Sequence, residues 1–360
     1  MKRILLITQH DEYLDFEYAA LVKALCCRSD VEITLITKVG YSGVLINQCA
    51  QAFQVDLQSK FDLQAILKVR KIVKEQSVEI IYTHTSRASA VSFLATLGIS
   101  DVSIIVRRGI RGKLSPFSVF DYLSYYNKKI SKVIALSQAV KVDLSTSLFF
   151  LEKKCIQIYQ GISLDNCNFL DTSYVRDQFS IEKNSIFLIT ISHHRKVKGL
   201  DRILSTAKCL SKAKVNFTWV IFGEGTECFS TDYSRGEYQG RVMGLGHDSD
   251  AVKYLKAADI YCQPSREEGL CFSLAQAALA GCYCLISDVE AMKEIVKSPD
   301  AVLPNDDNFP ILCSKKIAGF SSSLSQNNQL ITPNKDLLEM FSVKVFLNKT
   351  IAALGLKDVS

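Results

Sequence analysis

The sequence predicts an α/β fold built of two doubly wound domains facing each other across an interdomain cleft. Three observations predict it. Short apolar, β-rich runs alternate with helix-length segments, the pattern of a parallel sheet with crossover helices, whose strands are buried on both faces. That rhythm lapses once, over the polar stretch 161–184, and then restarts. The length of 360 residues suits two domains of roughly 100–200 residues each.

In the first half the strand-like runs are Ile4–Thr8, Val31–Thr37, Val78–His84, Val102–Arg107 and Lys132–Ser137, and the pattern ends near Ile156–Tyr159. Helix-length segments separate them at Phe16–Cys27, Leu63–Lys74, Ser89–Leu97 and from Gln138 onward. Beyond the polar stretch, strands are expected at Ile186–Ser192, Phe217–Phe222, Arg241–Met243, Ile260–Cys262 and Tyr283–Ile286, with helices over Gly199–Leu210, Asp250–Ala258 and Ser273–Ala280. The chain therefore divides into an N-terminal domain, 1–165, a second domain, 166–335, and an amphipathic segment, 336–360, long enough to cross back onto the first.

Apolar residues make up 48% and charged residues 22% of the chain, an ordinary globular composition that excludes a disordered or fibrous protein. The apolar run Ile4–Ile7 is too short for a secretory leader, and no stretch approaches the roughly 18–20 apolar residues of a membrane span. A cytoplasmic protein is expected, soluble or peripheral at the inner face of the cytoplasmic membrane. The 12 cysteines are scattered, several within apolar runs such as Cys209, Cys262 and Cys284, which reads as buried reduced thiols. Cys282 and Cys284 alone are too few ligands for zinc. The net charge of +6 is carried wholly by residues 1–165. It suits an anionic acceptor or an anionic membrane surface, or else is a solvated basic face. The short clusters Lys128-Lys129 and Lys153-Lys154 lack interleaved aromatics, so no nucleic-acid partner is expected.

Ligands of open α/β sheets bind beyond the carboxyl ends of the strands, where strand order reverses. The segment richest in chemistry there is Pro264-Ser265-Arg266-Glu267-Glu268-Gly269-Leu270-Cys271-Phe272-Ser273, continuing to Gly281. It reads as a strand end, a glycine loop and a helix whose leading amides lack partners, an arrangement that suits a diphosphate. The plain alternative is a strand-to-helix turn capped by Ser273.

This segment resembles the Pro-Ser-x-x-Glu-Gly-Phe-Gly-Leu…Glu-Ala-Met-Ala-x-Gly signature of the retaining glycosyltransferases called family 4, the glycosyl transferases group 1 type, whose fold of two Rossmann-like domains is named GT-B. The resemblance implies that Glu268 lies near the transferred sugar, and that position 276, a glutamate in the family and Gln276 here, serves the ribose. A glutamine still donates and accepts hydrogen bonds but lacks the strength of a charged acceptor. The run from Ile191 to Gly199 resembles the family loop Gly-Arg-x-x-x-x-Lys-Gly. Lys198 matches the diphosphate-binding lysine, His193 stands at the arginine position, and Arg195 is a candidate replacement for the missing guanidinium. Gly223 and Gly225 resemble the family's Gly-x-Gly turn. Met243, Gly244 and Leu245 resemble a strand end whose backbone contacts the base, and the amides of Gly269, Leu270, Cys271, Phe272 and Ser273 complete the donor site.

The first half matches the family less well. Its first strand runs into Gln9-His10 without a glycine, leaving His10 as a candidate acceptor contact. His84 ends a strand and is either catalytic or structural. Arg107 or Arg108 stands where the family has a sugar-contacting histidine, and with Arg111 and Lys113 forms either an anion grip or a basic loop. Arg108 is the candidate catalytic residue here, with Arg107 and Arg111 as acceptor contacts. The implied reaction transfers a sugar, with retention, from a nucleoside-diphosphate sugar to a surface glycan or lipid-linked saccharide. Lys198, Arg195 and the amides neutralise the diphosphate, so no metal and no cofactor is expected, and Asp306-Asp307 reads as a polar loop. The rival readings are an epimerase or phosphorylase of the same fold, and a non-catalytic nucleotide-sugar-binding subunit.

Overall fold

The computed structural model describes residues 1–9, 15–42, 49, 51–147, 149, 152–165, 167–232, 240–323 and 333–357. Two compact units result, the first formed by Met1–Ile162 together with Met340–Ser360 and the second by Ser163–Glu339.

The first unit holds a parallel sheet of seven strands: β1 Lys2–Ile7, β2 Val31–Thr37, β3 Gln51–Gln54, β4 Ile80–Thr83, β5 Ser103–Arg108, β6 Ile130–Ala135 and β7 Cys155–Gln157. Their order is β3-β2-β1-β4-β5-β6-β7. Residues alternate faces along a strand, so Leu5 and Ile7 enter one apolar cluster while Ile4 and Leu6 enter another on the opposite face. Both faces are covered, which is why β1 reads as an unbroken apolar run. β3, too polar and too short to stand out in the sequence, pairs beside β2. A turn of π-helix, Tyr122–Tyr126, lies between β5 and β6 and likewise had no clear periodic signal.

The second unit repeats the plan with β8 Ile186–Ile191, β9 Phe217–Phe222, β10 Thr231–Asp232, β11 Arg241–Gly246, β12 Ile260–Gln263, β13 Tyr283–Ser287 and β14 Val302–Leu303. The order is β10-β11-β9-β8-β12-β13-β14, with only β10 antiparallel to its neighbour. A buried polar staple ties its middle: Trp219 Nε1 donates to Thr190 Oγ1 at 3.1 Å, and that hydroxyl donates to the Cys262 carbonyl at 2.7 Å.

Several boundaries differ from expectation. The stretch 161–184 contains a helix, Thr172–Gln178, whose N-cap Asp171 accepts from the Ser173 amide at 2.8 Å; one such turn is too short to write a periodic pattern. Segment 250–258 folds as a 3-10 helix, Ala251–Ala257, rather than an α-helix. The C-terminal segment breaks into helices Lys335–Met340 and Val343–Ala353, and residues 336–339 stay with the second unit. The returning helix buries Phe346 and Ile351 in the first unit. Its carboxyl end is held by Lys132 Nζ on the Ala353 carbonyl at 2.7 Å, Lys2 Nζ on Gly355 at 2.6 Å and Arg28 on Lys357 at 3.0 Å. Cations favour that end of a helix because its last carbonyls are unpaired and carry the negative pole. Arg70, Arg87, Lys129 and Lys154 also donate to backbone carbonyls, so part of the basic excess of the first half has an internal, structural use. All 12 cysteines are free thiols.

Replacing Phe346, which is 3% exposed, by alanine is expected to lower the stability of the first unit by about 3–5 kcal/mol. Urea unfolding followed by circular dichroism measures it, and an unchanged midpoint would remove this helix from the core.

Candidate functional site

In the second sheet the chain runs outward from β8 in both directions, so strand order reverses between β8 and β12. Ligands of open α/β sheets bind beyond the carboxyl ends of the strands at such a reversal point. Both predicted motifs lie on the loops leaving these two strands.

Two glycines set the geometry. Gly199 has φ +65°, and a Cβ on it would lie 2.2 Å from the Pro264 carbonyl oxygen; no other residue permits the loop after β8 to approach the loop after β12 so closely. The Arg266 amide donates to the Val197 carbonyl at 2.7 Å, and the Arg266 side chain holds the Lys196 carbonyl at 3.0 Å and Asp201 at 2.6 and 2.7 Å. On the other side Gly223, φ +143°, packs against the Ser192 carbonyl, 2.1 Å from where a Cβ would lie.

This stitching brings together Lys198 and Glu268, seventy positions apart. Lys198 Nζ donates to Glu268 Oε1 at 2.8 Å and Oε2 at 2.9 Å. The Glu268 side chain is 4% exposed and that of Lys198 24%. Burial penalises the ammonium, yet the Glu268 carboxylate outweighs it and holds the lysine above its ordinary value. Glu268 is fixed from behind. Ser265 Oγ donates to Oε1 at 2.7 Å, Gln263 Nε2 donates to that hydroxyl at 2.8 Å, and Tyr261 donates to Gln263 Oε1 at 2.7 Å. Ser273 Oγ lies 2.8 Å from the tyrosine oxygen and donates to the Ile191 carbonyl at the end of β8 at 2.8 Å.

Ser273 is therefore not the helix cap. The helix is Phe272–Leu279, its N-cap is Cys271, and no side chain caps it. A small buried thiol stands at the cap position, in contrast to the serine, threonine and aspartate caps elsewhere in the chain. Burial, with Glu268 nearby, pushes the Cys271 thiol up to about 12. The loop Gly269, Leu270, Cys271 thus leads from the carboxylate into Phe272 and Ser273. Gln276 follows on the same helix, and its side chain makes no hydrogen bond among the described residues.

The remaining donor candidates lie at the same edge, since β11, β9 and β8 are adjacent and parallel. Gly223 donates to the Gly246 carbonyl at 2.7 Å, and Gly225 packs on His194. Met243, Gly244 and Leu245 belong to β11 itself, where Gly244 allows the Thr226 carbonyl to come close. His193 Nδ1 accepts from the Glu224 amide at 3.2 Å. Arg195 lies on the Lys198 loop, with no hydrogen bond or ion pair from its side chain among the described residues.

The first unit arranges its candidates differently from expectation. His10 lies outside the described residues. His84 follows β4, half-buried, edge-on to Tyr82 at 5.2 Å. Arg107 is buried, 6% exposed, and hydrogen-bonded to Gln160. Arg108 turns its guanidinium over the Tyr125 ring at 5.1 Å and donates to the Gly112 carbonyl at 2.9 Å. Arg111 is held by both oxygens of Asp143, at 2.6 and 3.1 Å. Burial disfavours that carboxylate, but the Arg111 bonds and the Gly112 amide hold it below its usual range. Of the three arginines in this either-or segment, anion grip or basic loop, one guanidinium is inside, one lies over a ring and one is paired with Asp143. Asp143, 32 positions downstream on the next helix, carried no signal that would have foretold the pairing. Among the described residues no three His, Cys, Asp or Glu side chains gather as a metal site, and no helix is long and apolar enough to cross a membrane.

Glu268→Gln leaves the Lys198 ammonium without a counter-charge and is expected to cost about 3 kcal/mol at neutral pH. A lysine raised above its ordinary value stabilises the fold below roughly pH 10.4 and loses that contribution as pH rises through its folded-state value. The stability gap between wild type and variant, measured by urea unfolding, should therefore close at strongly alkaline pH; a gap independent of pH would place the cost elsewhere.

Residues 172–308, most of the second unit, match the family model described as glycosyl transferases group 1. The chain is 20% identical over 252 residues to the UDP-Gal:alpha-D-GlcNAc-diphosphoundecaprenol alpha-1,3-galactosyltransferase of Escherichia coli, an alignment taking in 66% of this chain and 65%, just under two thirds, of that protein. Among solved structures it is similar to a glycosyltransferase from Rickettsia africae ESF-5, with a TM-score of 0.75, 19% identity and coverage of 98% of this chain and 97% of that one. It is similar also to Anabaena HepE in complex with UDP and glucose, with a TM-score of 0.71, 19% identity and coverage of 98% and 99%. At such identities the structures speak for the fold, which is GT-B, two doubly wound parallel sheets in one chain. The motif loops on the second sheet lie within the matched segment, residues 172–308, which is similar to the glycosyl transferases group 1 family.

Proposed function

We propose that the protein is a glycosyltransferase that moves a sugar from a nucleoside-diphosphate sugar to a lipid-linked saccharide or surface glycan, with retention at the anomeric carbon and without a metal. The observation that carries this reading is the Lys198–Glu268 pair at the reversal point of the second sheet, beside an uncapped helix start. As the bond from the anomeric carbon to the diphosphate breaks, negative charge builds on the leaving oxygen. Groups already fixed there stabilise that state without reorganising. An ammonium has three N–H donors; Glu268 occupies two oxygen contacts, and the third donor, Arg195 and the amides of 269–273 are assigned to the diphosphate. Glu268 is assigned to the sugar, Gln276 to the ribose, and Gly223, Gly225 and the Met243–Leu245 backbone to the base. Support for the donor comes from a neighbour holding UDP and glucose, and support for the acceptor from a relative whose name carries diphosphoundecaprenol. His84 and Arg108 are assigned to the acceptor side of the reaction, with no nucleic-acid partner.

A lipid-linked acceptor brings the chain to an anionic membrane, and we assign that contact, as a peripheral one at the cytoplasmic face, to the first unit. Phe117 is 81% exposed, Val119 60%, Phe120 55% and Phe61 52%. The Phe61 and Phe120 rings meet edge-on at 5.9 Å, with Lys60 Nζ 5.4 Å from the Phe120 ring. Aromatics beside basic residues suit the headgroup boundary, and the field of the +6 half of the chain persists although several of its cations bind carbonyls.

Lys198→Ala is expected to lower transfer from the donor by about 30-fold or more, on a loss of ~2 kcal/mol of transition-state binding. EDTA is expected to leave the rate unchanged, and NMR of the product to show the donor's own anomeric configuration. Wild-type transfer by the alanine variant would remove Lys198 from the reaction. Separately, Phe117→Ser with Phe120→Ser should weaken sedimentation with phosphatidylglycerol vesicles at low salt; equal sedimentation of both proteins would clear this patch of the role.

A further inference from the structure

The cysteines do not all share the buried setting that the sequence suggests. Cys26, Cys27 and Cys228 are exposed, and Cys49 is half-buried. Cys26 is the last residue of the first helix, Asp15–Cys26, and Cys49 stands just before β3. Although 23 positions apart in the chain, their sulfurs come within 3.9 Å of each other. Cys49 is held there by packing on the apolar face that Leu21, Val22 and Leu25 of the same helix share with Phe346.

Proximity alone does not make such a pair reactive. Cys262 and Cys313 have sulfurs 4.0 Å apart, yet both residues are 0% exposed in the core of the second unit, beyond the reach of a reagent. Cys228 has the access, but it faces the His194 ring at 3.8 Å rather than a second thiol. Cys26 and Cys49 combine an accessible sulfur with another one within reach. A disulfide needs its sulfurs about 2.05 Å apart, so each has about 1 Å to travel, a distance that small side-chain rotations supply.

The two sulfurs are not equivalent. Burial raises the hold of both on their protons and takes Cys49 up to about 12. The bond between them acts in opposite senses, lowering Cys26 and raising Cys49, which makes Cys49 the S–H donor and Cys26 the acceptor. Charge therefore forms more easily on Cys26, the exposed sulfur, and the thiolate is the attacking species. At rest both are thiols, a state that the negative pole at the carboxyl end of the first helix also favours. A disulfide carries no charge, so neither burial nor that pole opposes it.

We propose that Cys26 and Cys49 are a modification site, a reversible dithiol that a low-molecular-weight disulfide closes into a latch between the first helix and the chain entering β3. The Cys26 thiolate attacks one sulfur of the reagent. A bond from Cys26 to that sulfur forms, the reagent's own S–S bond breaks, and the thiolate released takes up the proton that Cys26 lost. Cys49 then gives up its proton and attacks the Cys26 sulfur, forming the internal disulfide and releasing the other half of the reagent, which takes that proton. Two cysteine thiols are oxidised by two electrons in all, and one external disulfide is reduced to two thiols. An external thiolate attacking the exposed Cys26 sulfur runs the sequence backwards. The latch needs nothing of the nucleotide site and stands apart from the sugar-transfer reading.

The test incubates the native full chain with oxidised glutathione at about pH 8, caps free thiols with N-ethylmaleimide and reads the unreduced tryptic digest by mass spectrometry. The peptides of Cys26 and Cys49 should appear joined, in about 10-fold excess over their glutathione adducts, because the second thiol attacks within the molecule. Dithiothreitol should separate them. Cys27→Ser should form the same link, whereas Cys26→Ser and Cys49→Ser should lose it. No link, a glutathione adduct that persists in its place, a Cys26–Cys27 bond, or a link that survives Cys26→Ser overturns the proposal. So does a Cys262–Cys313 link under the same conditions, which means that the whole chain opens. The latch has its own readout, since a bond that restricts the unfolded chain should make oxidised wild type unfold at higher urea than the reduced protein. Cys49→Ser should show no such difference. An oxidised wild type that unfolds at equal or lower urea overturns the proposal.

Discussion

The rest of the second unit depends on one ion pair, Lys198 with Glu268. A largely buried ammonium and a buried carboxylate are each costly alone, and their attraction repays desolvation only when the remaining valences are satisfied. Here they are. The carboxylate takes Ser265 as well as the lysine, and Ser265 is backed by Gln263 and Tyr261 in turn. Nothing in that chain of bonds works unless the two strand-end loops touch, and they touch because residue 199 is glycine against the Pro264 carbonyl.

A network of this kind does more than hold the loops. It fixes the direction of one carboxylate and one ammonium before any ligand arrives, which is the condition for electrostatic stabilisation of a developing charge. The helix that begins on the same loop has no serine or aspartate cap, Cys271 standing at that position. The one serine that looked like a cap, Ser273, is instead a brace between the helix and the end of β8.

The first unit shows how differently the same residue types can be spent. Its arginine-rich loop after β5 resembles a ligand grip in sequence, yet Asp143 neutralises Arg111 and Gln160 meets Arg107 inside the protein. Much of its positive charge closes the carbonyl ends of helices and strands, including the helix that returns from the C-terminus. That return makes the first unit discontinuous in sequence, with Phe346 and Ile351 completing a face begun by Ile4 and Leu6.

Read alone, the sequence determined the class of fold, thirteen of whose strands are parallel in this structure, because strands buried on both faces must be apolar at every position. It also marked Lys198 and Glu268, since a lysine before glycine and a glutamate before glycine are local patterns tied to particular strand ends, and the structure brings the two side chains together. It was silent on β3, the π-turn and the Thr172–Gln178 helix, which are too short or too polar to carry a period. Only the tertiary structure decided which charges are free and which are already paired. Asp143, Gln160 and the helix-end carbonyls lie far along the chain from the cations they meet, and the partner of a charge is a matter of distance in space, which spacing in sequence does not encode.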